Sequence, residues 1–125
     1  MAPPPEALRT LFRRLDAARA SERRALARAK KAGECAGHAE VLASAFATAA
    51  VQLGGVPAGA REKQFHADLQ QAFGRARDGY VSLAAALRAG DHDAYLAASK
   101  VIRAAERRAN ATIRSLRRLG YRLQG

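Results

Sequence analysis

The sequence predicts an all-α protein, an up-and-down antiparallel four-helix bundle whose first helix is loosely attached or projecting. Three observations lead there. Alanine supplies 32 of the 125 residues, and it is the best helix former while offering little area to bury. Two long stretches carry apolar residues at alternating steps of three and four, the spacing of one helical face. No stretch alternates polar and apolar residues as a half-buried strand does. Apolar types make up 49% of the chain, yet only 29 of those residues are larger than alanine, so the core is modest and helices must lie close at alanine positions. The length fits one domain, residues 1–125.

The first helix is expected over 6–32. Pro3–Pro5 form a stiff lead-in, and proline suits a first helical turn. Leu8, Leu11, Phe12 and Leu15 make a good apolar face that weakens beyond Ala18 to Ala25, Leu26 and Ala29, with Glu22 in its path. Its second half has little reason to be buried within its own chain. Gly33 and Gly37 then suggest a break or bend, the alternative being one helix from about 6 to 53. The second helix, 34–53, holds no Lys or Arg. Val41, Leu42, Ala45, Phe46, Ala49 and Leu53 line one side, and so charge-poor a helix is expected to be the most enclosed element. Residues 54–59, GGVPAG, end it in a loop.

A third helix is expected over 60–89, with Phe65, Leu69, Phe73, Ala76, Tyr80, Leu83 and Leu87 as its seam. Gly74 and Gly79 interrupt it, which points to a close helix approach or a slight bend. The turn Ala89-Gly90-Asp91 is short enough to make an antiparallel hairpin with a fourth helix over 91–119. That last helix organises the chain: Tyr95, Ala98, Ile102, Ala105, Ala109, Thr112, Leu116 and Leu119 form one seam without a slip. Asp91 and Asp93 suit its N-terminus, basic residues gather at its C-terminus, and Gly120 reads as the stop.

Charge is the main functional signal. The chain carries 22 basic and 11 acidic residues, a net +11, with arginine far ahead of lysine. Residues 1–32 hold nine basic and three acidic groups, +6, and residues 91–125 eight and three, +5, while 33–60 is at −2 and 61–90 at +2. The candidate partner-binding faces are therefore Arg9, Arg13, Arg24, Arg28 and Lys31 on the first helix and Lys100, Arg103, Arg107, Arg114 and Arg118 on the last. If the two helices lie side by side, these stripes merge into one surface able to meet an anion. GC-rich codons inflate both Ala and Arg, so a merely well-solvated surface is the bland alternative.

Chemistry is not legible. Cys35 and His38 sit one helical turn apart, but His66 and His92 lie on other segments and no third ligand converges, so no metal or cofactor is expected. Neither a haem-attachment spacing nor paired Glu-x-x-His motifs occur. No serine has an activating histidine by motif, no Gly-rich phosphate loop is present, and Tyr80 and Tyr95 read as core residues with a wet hydroxyl. A catalytic site is not expected. The opening MAPPPEALRTLFRR lacks the apolar run of a signal peptide, and no charge-free stretch reads as membrane-spanning. The default is a cytoplasmic protein, with an exported domain whose leader is missing from the chain as the alternative. One cysteine excludes an internal disulfide framework.

The segment SLAAALRAGDHDAYLAASKVIRAAERRANATIRSLRRLGY resembles the C-terminal helical hairpin of small exported or lipid-anchored bundle proteins of GC-rich actinobacteria, mostly of unknown function. The resemblance rests on an Ala/Leu helix, the turn at Arg88–Asp91, an Ala-rich helix and the ending Leu119–Tyr121, about a third of the chain. Lys31-Ala32-Gly33-Glu34 before Cys35 is not a lipobox, and no signal peptide precedes it. The resemblance implies a bundle and carries over no functional residue.

The functional expectation is a non-catalytic binding or scaffold protein. It docks an Arg-rich face on an anionic protein surface within an assembly, with self-association through the first helix as one form of it. Sequence-independent nucleic-acid binding is the alternative, and contact with a membrane surface ranks below both.

Overall fold

The computed structural model describes residues 5–28 and 31–118, without the side chains of residues 5, 23 and 26–28. They form four helices and no strand: α1 (Pro5–Arg28), α2 (Ala32–Gly54), α3 (Lys63–Ala89) and α4 (His92–Arg118). The fold is an all-α bundle. Glu40 near the start of α2 pairs with Arg88 at the end of α3, while Gln70 early in α3 donates to the carbonyl of Ala50 late in α2, so these helices run antiparallel. Gly90 ends α3 in the left-handed conformation at φ 66°, which glycine adopts without a Cβ penalty. Asp91 then caps α4, its carboxylate accepting from the backbone N–H of Ala94 at 3.0 Å. The helix-terminus reading of Asp91 holds.

The break between α1 and α2 falls before Gly33. Lys31 is extended (φ −111°, ψ 140°) and α2 begins at Ala32, so both Gly33 and Gly37 lie inside α2 and a single continuous helix is excluded. Neither glycine marks the turn, because both lie within α2 and neither has a positive φ.

The core is laid along the expected seams. Leu8, Leu11, Phe12 and Leu15 of α1 are buried, as are Leu69, Phe73, Ala76, Tyr80 and Leu83 of α3. On α4 Ala98, Ile102, Ala105, Ala109, Thr112 and Leu116 are buried, but Tyr95 is 39% exposed and stacks on His92 instead of entering the core. Leu119 and Gly120 lie outside the described residues. Val41 is also displaced from the core, at 48% exposure. The reason is geometric: α2 buries only the strip around Leu42, Phe46, Ala49 and Leu53, and Val41, Ser44, Thr48 and Val51 share the opposite, solvent-facing strip. α3, between α2 and α4, has ten buried residues of 27, and α2, between α1 and α3, has seven of 23. Absence of charge on α2 therefore did not make it the most enclosed helix.

Four rings form a column through this alanine-rich core. Phe12 meets Phe73 edge-on at 6.4 Å, Phe73 meets Phe46 at 5.8 Å, and Phe46 stacks on Tyr80 at 5.8 Å. Beside it, α3 and α4 approach so closely at Gly79 that an added Cβ would stand 2.7 Å from Ile102 Cγ1.

Gly79→Ala should therefore destabilise the protein by about 1–2 kcal/mol, overpacking outweighing the helix propensity gained. Gly74→Ala, where nothing lies within 4 Å, should stabilise it by up to about 1 kcal/mol. Urea unfolding of the two variants checks both signs.

Candidate functional site

The terminal helices carry the expected basic residues, and they face one another across a cleft. At the backbone α1 packs on α2 alone; among the described residues no Cα of α1 comes within 8 Å of one on α4. Phe12, Leu15, Asp16 and Arg19 form one wall of the cleft, and Glu106, Asn110, Ile113, Arg114 and Arg117 much of the other. Phe46 and Phe73, both buried in the core, lie behind it, and the cleft, open to solvent, has a volume of about 280 Å³. The weak attachment expected of the first helix has this form: a cleft on its α4 side.

One polar cluster spans the gap. The Arg19 guanidinium donates to the carboxylate of Glu106, which also accepts from the Tyr80 hydroxyl at 2.9 Å. Arg19 also lies 5.9 Å from the centre of the Phe46 ring, within cation–π range. One residue from each helix thus meets at a single point, with the Arg19 and Glu106 side chains only 18% and 12% exposed. Tyr80 is a core residue as expected, but its hydroxyl is bonded to protein. Arg19 and Glu106 were absent from the sequence-derived faces. Their signal was present, since Arg19 falls at i+4 from Leu15 and Glu106 at i+4 from Ile102, opposite charges on the edges of two apolar seams.

The ten candidate residues divide as follows. Lys100, Arg103, Arg107, Arg114 and Arg118 are all exposed on one stripe of α4, bordering the cleft where Arg114 lines it. On α1, Arg13 and Arg24 are exposed, while Arg9 is half-buried with its Nε enclosed and lacking a hydrogen-bond partner. Arg9 lies two turns from Asp16 on the cleft side of α1. Lys31 is exposed at the turn into α2, off the α1 stripe, and the Arg28 side chain lies outside the described residues. Of the ten, Arg114 alone lines the cleft, and the two stripes do not merge into one surface. Arg117, not among the ten, lines the cleft beside Arg114.

Charge pairing is uneven. Arg88 pairs bidentately with Glu40 at 2.7 and 2.9 Å, Arg77 with Asp78 at 2.7 Å, and Arg108 with Asp68 at 3.8 Å. Those hydrogen bonds hold the exposed Glu40 carboxyl below its usual range and raise the Arg88 guanidinium. Glu22 is held by His38 Nδ1 at 2.5 Å, and this histidine is half-buried at the α1–α2 joint. Cys35 is half-buried and free. Among the described residues no group of three or more His, Cys, Asp or Glu stands close enough to hold a metal ion, and no helix is long and apolar enough to cross a membrane.

No protein-family model, curated protein or solved structure matches the chain. The site is therefore read from its own geometry.

Removing Glu106 leaves the half-buried Arg19 with only the more distant, exposed Asp16 carboxylate at 3.6 Å, so Glu106→Ala should cost about 2–3 kcal/mol of stability. The double variant Arg19→Met/Glu106→Leu should cost less than that single change, because an apolar pair carries no stranded charge. Urea unfolding of the singles and the double tests the order.

His66, buried in the first turn of α3, has its pKa pushed below the ordinary 6.5 by burial, against the opposing pull of Glu62. The unfolded chain then takes up the proton first as pH falls. His66 contributes stability that is full above about pH 6.5 and lost on acidification below it. Unfolding midpoints between pH 8 and 5 should fall more steeply for the parent than for His66→Gln.

Proposed function

We propose that this chain is a non-catalytic binding module that docks the basic banks of α1 and α4 on an anionic protein surface within an assembly. The observation that carries this reading is the partition of charge. Arg19, Arg77, Arg88 and Arg108 are paired within the chain, whereas among the described residues no ion pair or hydrogen bond engages the side chains of Arg13, Arg24, Lys100, Arg103, Arg107, Arg114, Arg117 or Arg118. Exposed guanidinium groups in a row match carboxylates, which they hold with two parallel hydrogen bonds. Such a surface speeds encounter with an acidic partner and selects against basic ones. The large apolar residues of α1 with described side chains are already covered in the bundle, so charge is what this helix offers outward.

Phosphates on a nucleic acid offer the same charge, which makes sequence-independent binding the second reading. Single-strand binders add exposed aromatic rings for base stacking. Among the described aromatic side chains only Tyr95 is exposed, which favours the protein partner.

Fluorescence anisotropy with labelled polyglutamate and with a random DNA duplex, at about 50 and 200 mM salt, separates these readings. Polyglutamate should bind, and the triple variant Arg103→Glu/Arg107→Glu/Arg114→Glu should weaken it at least roughly tenfold. The control triple Arg61→Glu/Arg75→Glu/Arg77→Glu makes the same change in net charge elsewhere and should have a much smaller effect. Equal losses would reduce the effect to net charge and overturn the site. Duplex binding that outcompetes polyglutamate and falls about a thousandfold with salt would establish the second reading instead. No binding of either at low salt would remove both.

A further inference from the structure

We infer that two copies of this chain associate through the outer face of α2 and α3, in a weak two-fold contact that leaves the basic stripe of α4 exposed. This does not depend on the docking function proposed above.

Two contacts between α2 and α3 locate this face. Arg88 of α3 reaches Glu40, and Gln70 of α3 reaches the carbonyl of Ala50, so Glu40 and Gln70 stand on the seam between the helices. Val51 lies eleven residues beyond Glu40 and Val81 eleven beyond Gln70, about three turns in each case, which returns both valines to the same edge. Both nevertheless turn outward: they are 77% and 54% exposed, the highest values among the large apolar residues described. Val41, on the outer strip of α2, is exposed as well. Between the valines the side chains are small, with Ser44 and Ala47 on the α2 edge and Gly74 on the α3 edge. A Cβ added at Gly74 would meet nothing within 4 Å, so no described part of the chain overlies that point.

Charge selects a second copy as the occupant. At a net +11, the chain repels its own image wherever unpaired cations would meet. A two-fold contact sets one patch against itself and so needs a face that does not oppose like charge. α2 holds no Lys or Arg, and residues 33–60 sum to −2. On α3, Arg77 and Arg88 share the Gln70 edge and are each paired, with Asp78 and Glu40. The exposed Glu34 and Lys63 begin the two helices, at opposite ends of the antiparallel pair. A two-fold axis perpendicular to the helices reverses the face end for end, and so carries Glu34 of each copy toward Lys63 of the other. The exposed Leu96 of α4 has no such setting. It shares its strip with the exposed Lys100 and Arg103, and a contact there would set those cations against their own images.

The extent of the face suits a weak dimer. A helix of 23 residues is ~35 Å long, and two helices packed ~9 Å apart present a face roughly 18 Å wide, or about 600 Å² per copy. About 1,200 Å² in total is the lower end of the range for specific interfaces, where contacts are weak and reversible.

Sedimentation equilibrium of the full chain, at roughly 5–500 µM protein and about 150 mM sodium chloride, is the test. A monomer–dimer equilibrium with a Kd on the order of 10–100 µM is expected. At about 500 mM salt the dimer should be at least as tight, because screening removes repulsion between the copies. Val51→Ser/Val81→Ser, which removes exposed apolar surface, should weaken it at least roughly tenfold, and Val51→Lys/Val81→Lys should abolish it. Leu96→Lys/Val101→Lys adds the same charge to α4 and should change the Kd by less than about threefold. Circular dichroism checks that each variant keeps its helices. The inference is overturned if the parent stays monomeric at about 500 µM, if its dimer dissociates as salt is raised, or if the lysine pair on α4 weakens it as much as the pair on α2 and α3.

Discussion

The fold depends on one constraint: with alanine filling most apolar positions, the few large rings must be gathered where they do the most. Phe12, Phe46, Phe73 and Tyr80 come from three helices and form one contiguous column. A buried ring removes far more apolar surface from water than an alanine methyl, so this column and the leucines beside it dominate the hydrophobic stabilisation. Around it the alanines contribute closeness. Ala76, Ala98, Ala105 and Gly79 let α3 and α4 approach until a single added carbon would collide with Ile102. The same economy leaves α1 under-supplied, since its apolar face ends at Leu15 and the next residue on that face is Arg19.

Where the apolar seam of α1 stops, a polar contact continues it. Arg19 and Glu106 reach across a gap that the backbones do not close, and Tyr80 ties the carboxylate to the aromatic column. A half-buried ion pair is weak evidence of net stability, because desolvation offsets most of its attraction. Its geometry does specify register. Sliding α1 by one turn would leave Arg19 and Glu106 each enclosed without the other, an arrangement far costlier than the pair itself. The clasp therefore sets where α1 lies more than how tightly it is held.

Much of this was legible in the sequence, and the misses have physical causes. The seams of α3 and α4 and the first four apolar residues of α1 repeat with helical period, and burial follows them almost residue by residue. Failures occurred where composition stood in for periodicity. A helix without lysine or arginine looked like the most enclosed element, yet Val41 and Val51 face solvent, because alanine, serine and threonine tolerate either environment. Gly33 and Gly37 looked like a break, yet helix propensity alone does not locate a turn when both glycines fit inside α2. Tyr95 kept the period of its seam but stands beyond the reach of the core, near the start of α4. The basic stripes were legible as stripes. That they do not merge was not, because it depends on α1 and α4 standing apart, and no single helix encodes that distance.

That separation gives the charge a mechanical consequence. Both terminal segments carry net positive charge, and among the described residues the cluster of Arg19, Glu106 and Tyr80 spans the gap between α1 and α4. Their mutual repulsion acts to part α1 from α4, while the clasp and the leucines against α2 oppose it. An anion that meets both banks removes the repulsion as it binds, and so favours the closed arrangement of α1. By linkage, whatever loosens α1 must then weaken such an anion's binding, and the bound anion must in turn hold α1 in place. High salt screens the repulsion between α1 and α4 and would screen attraction to any bound anion alike, so the two would respond to ionic strength in opposite directions.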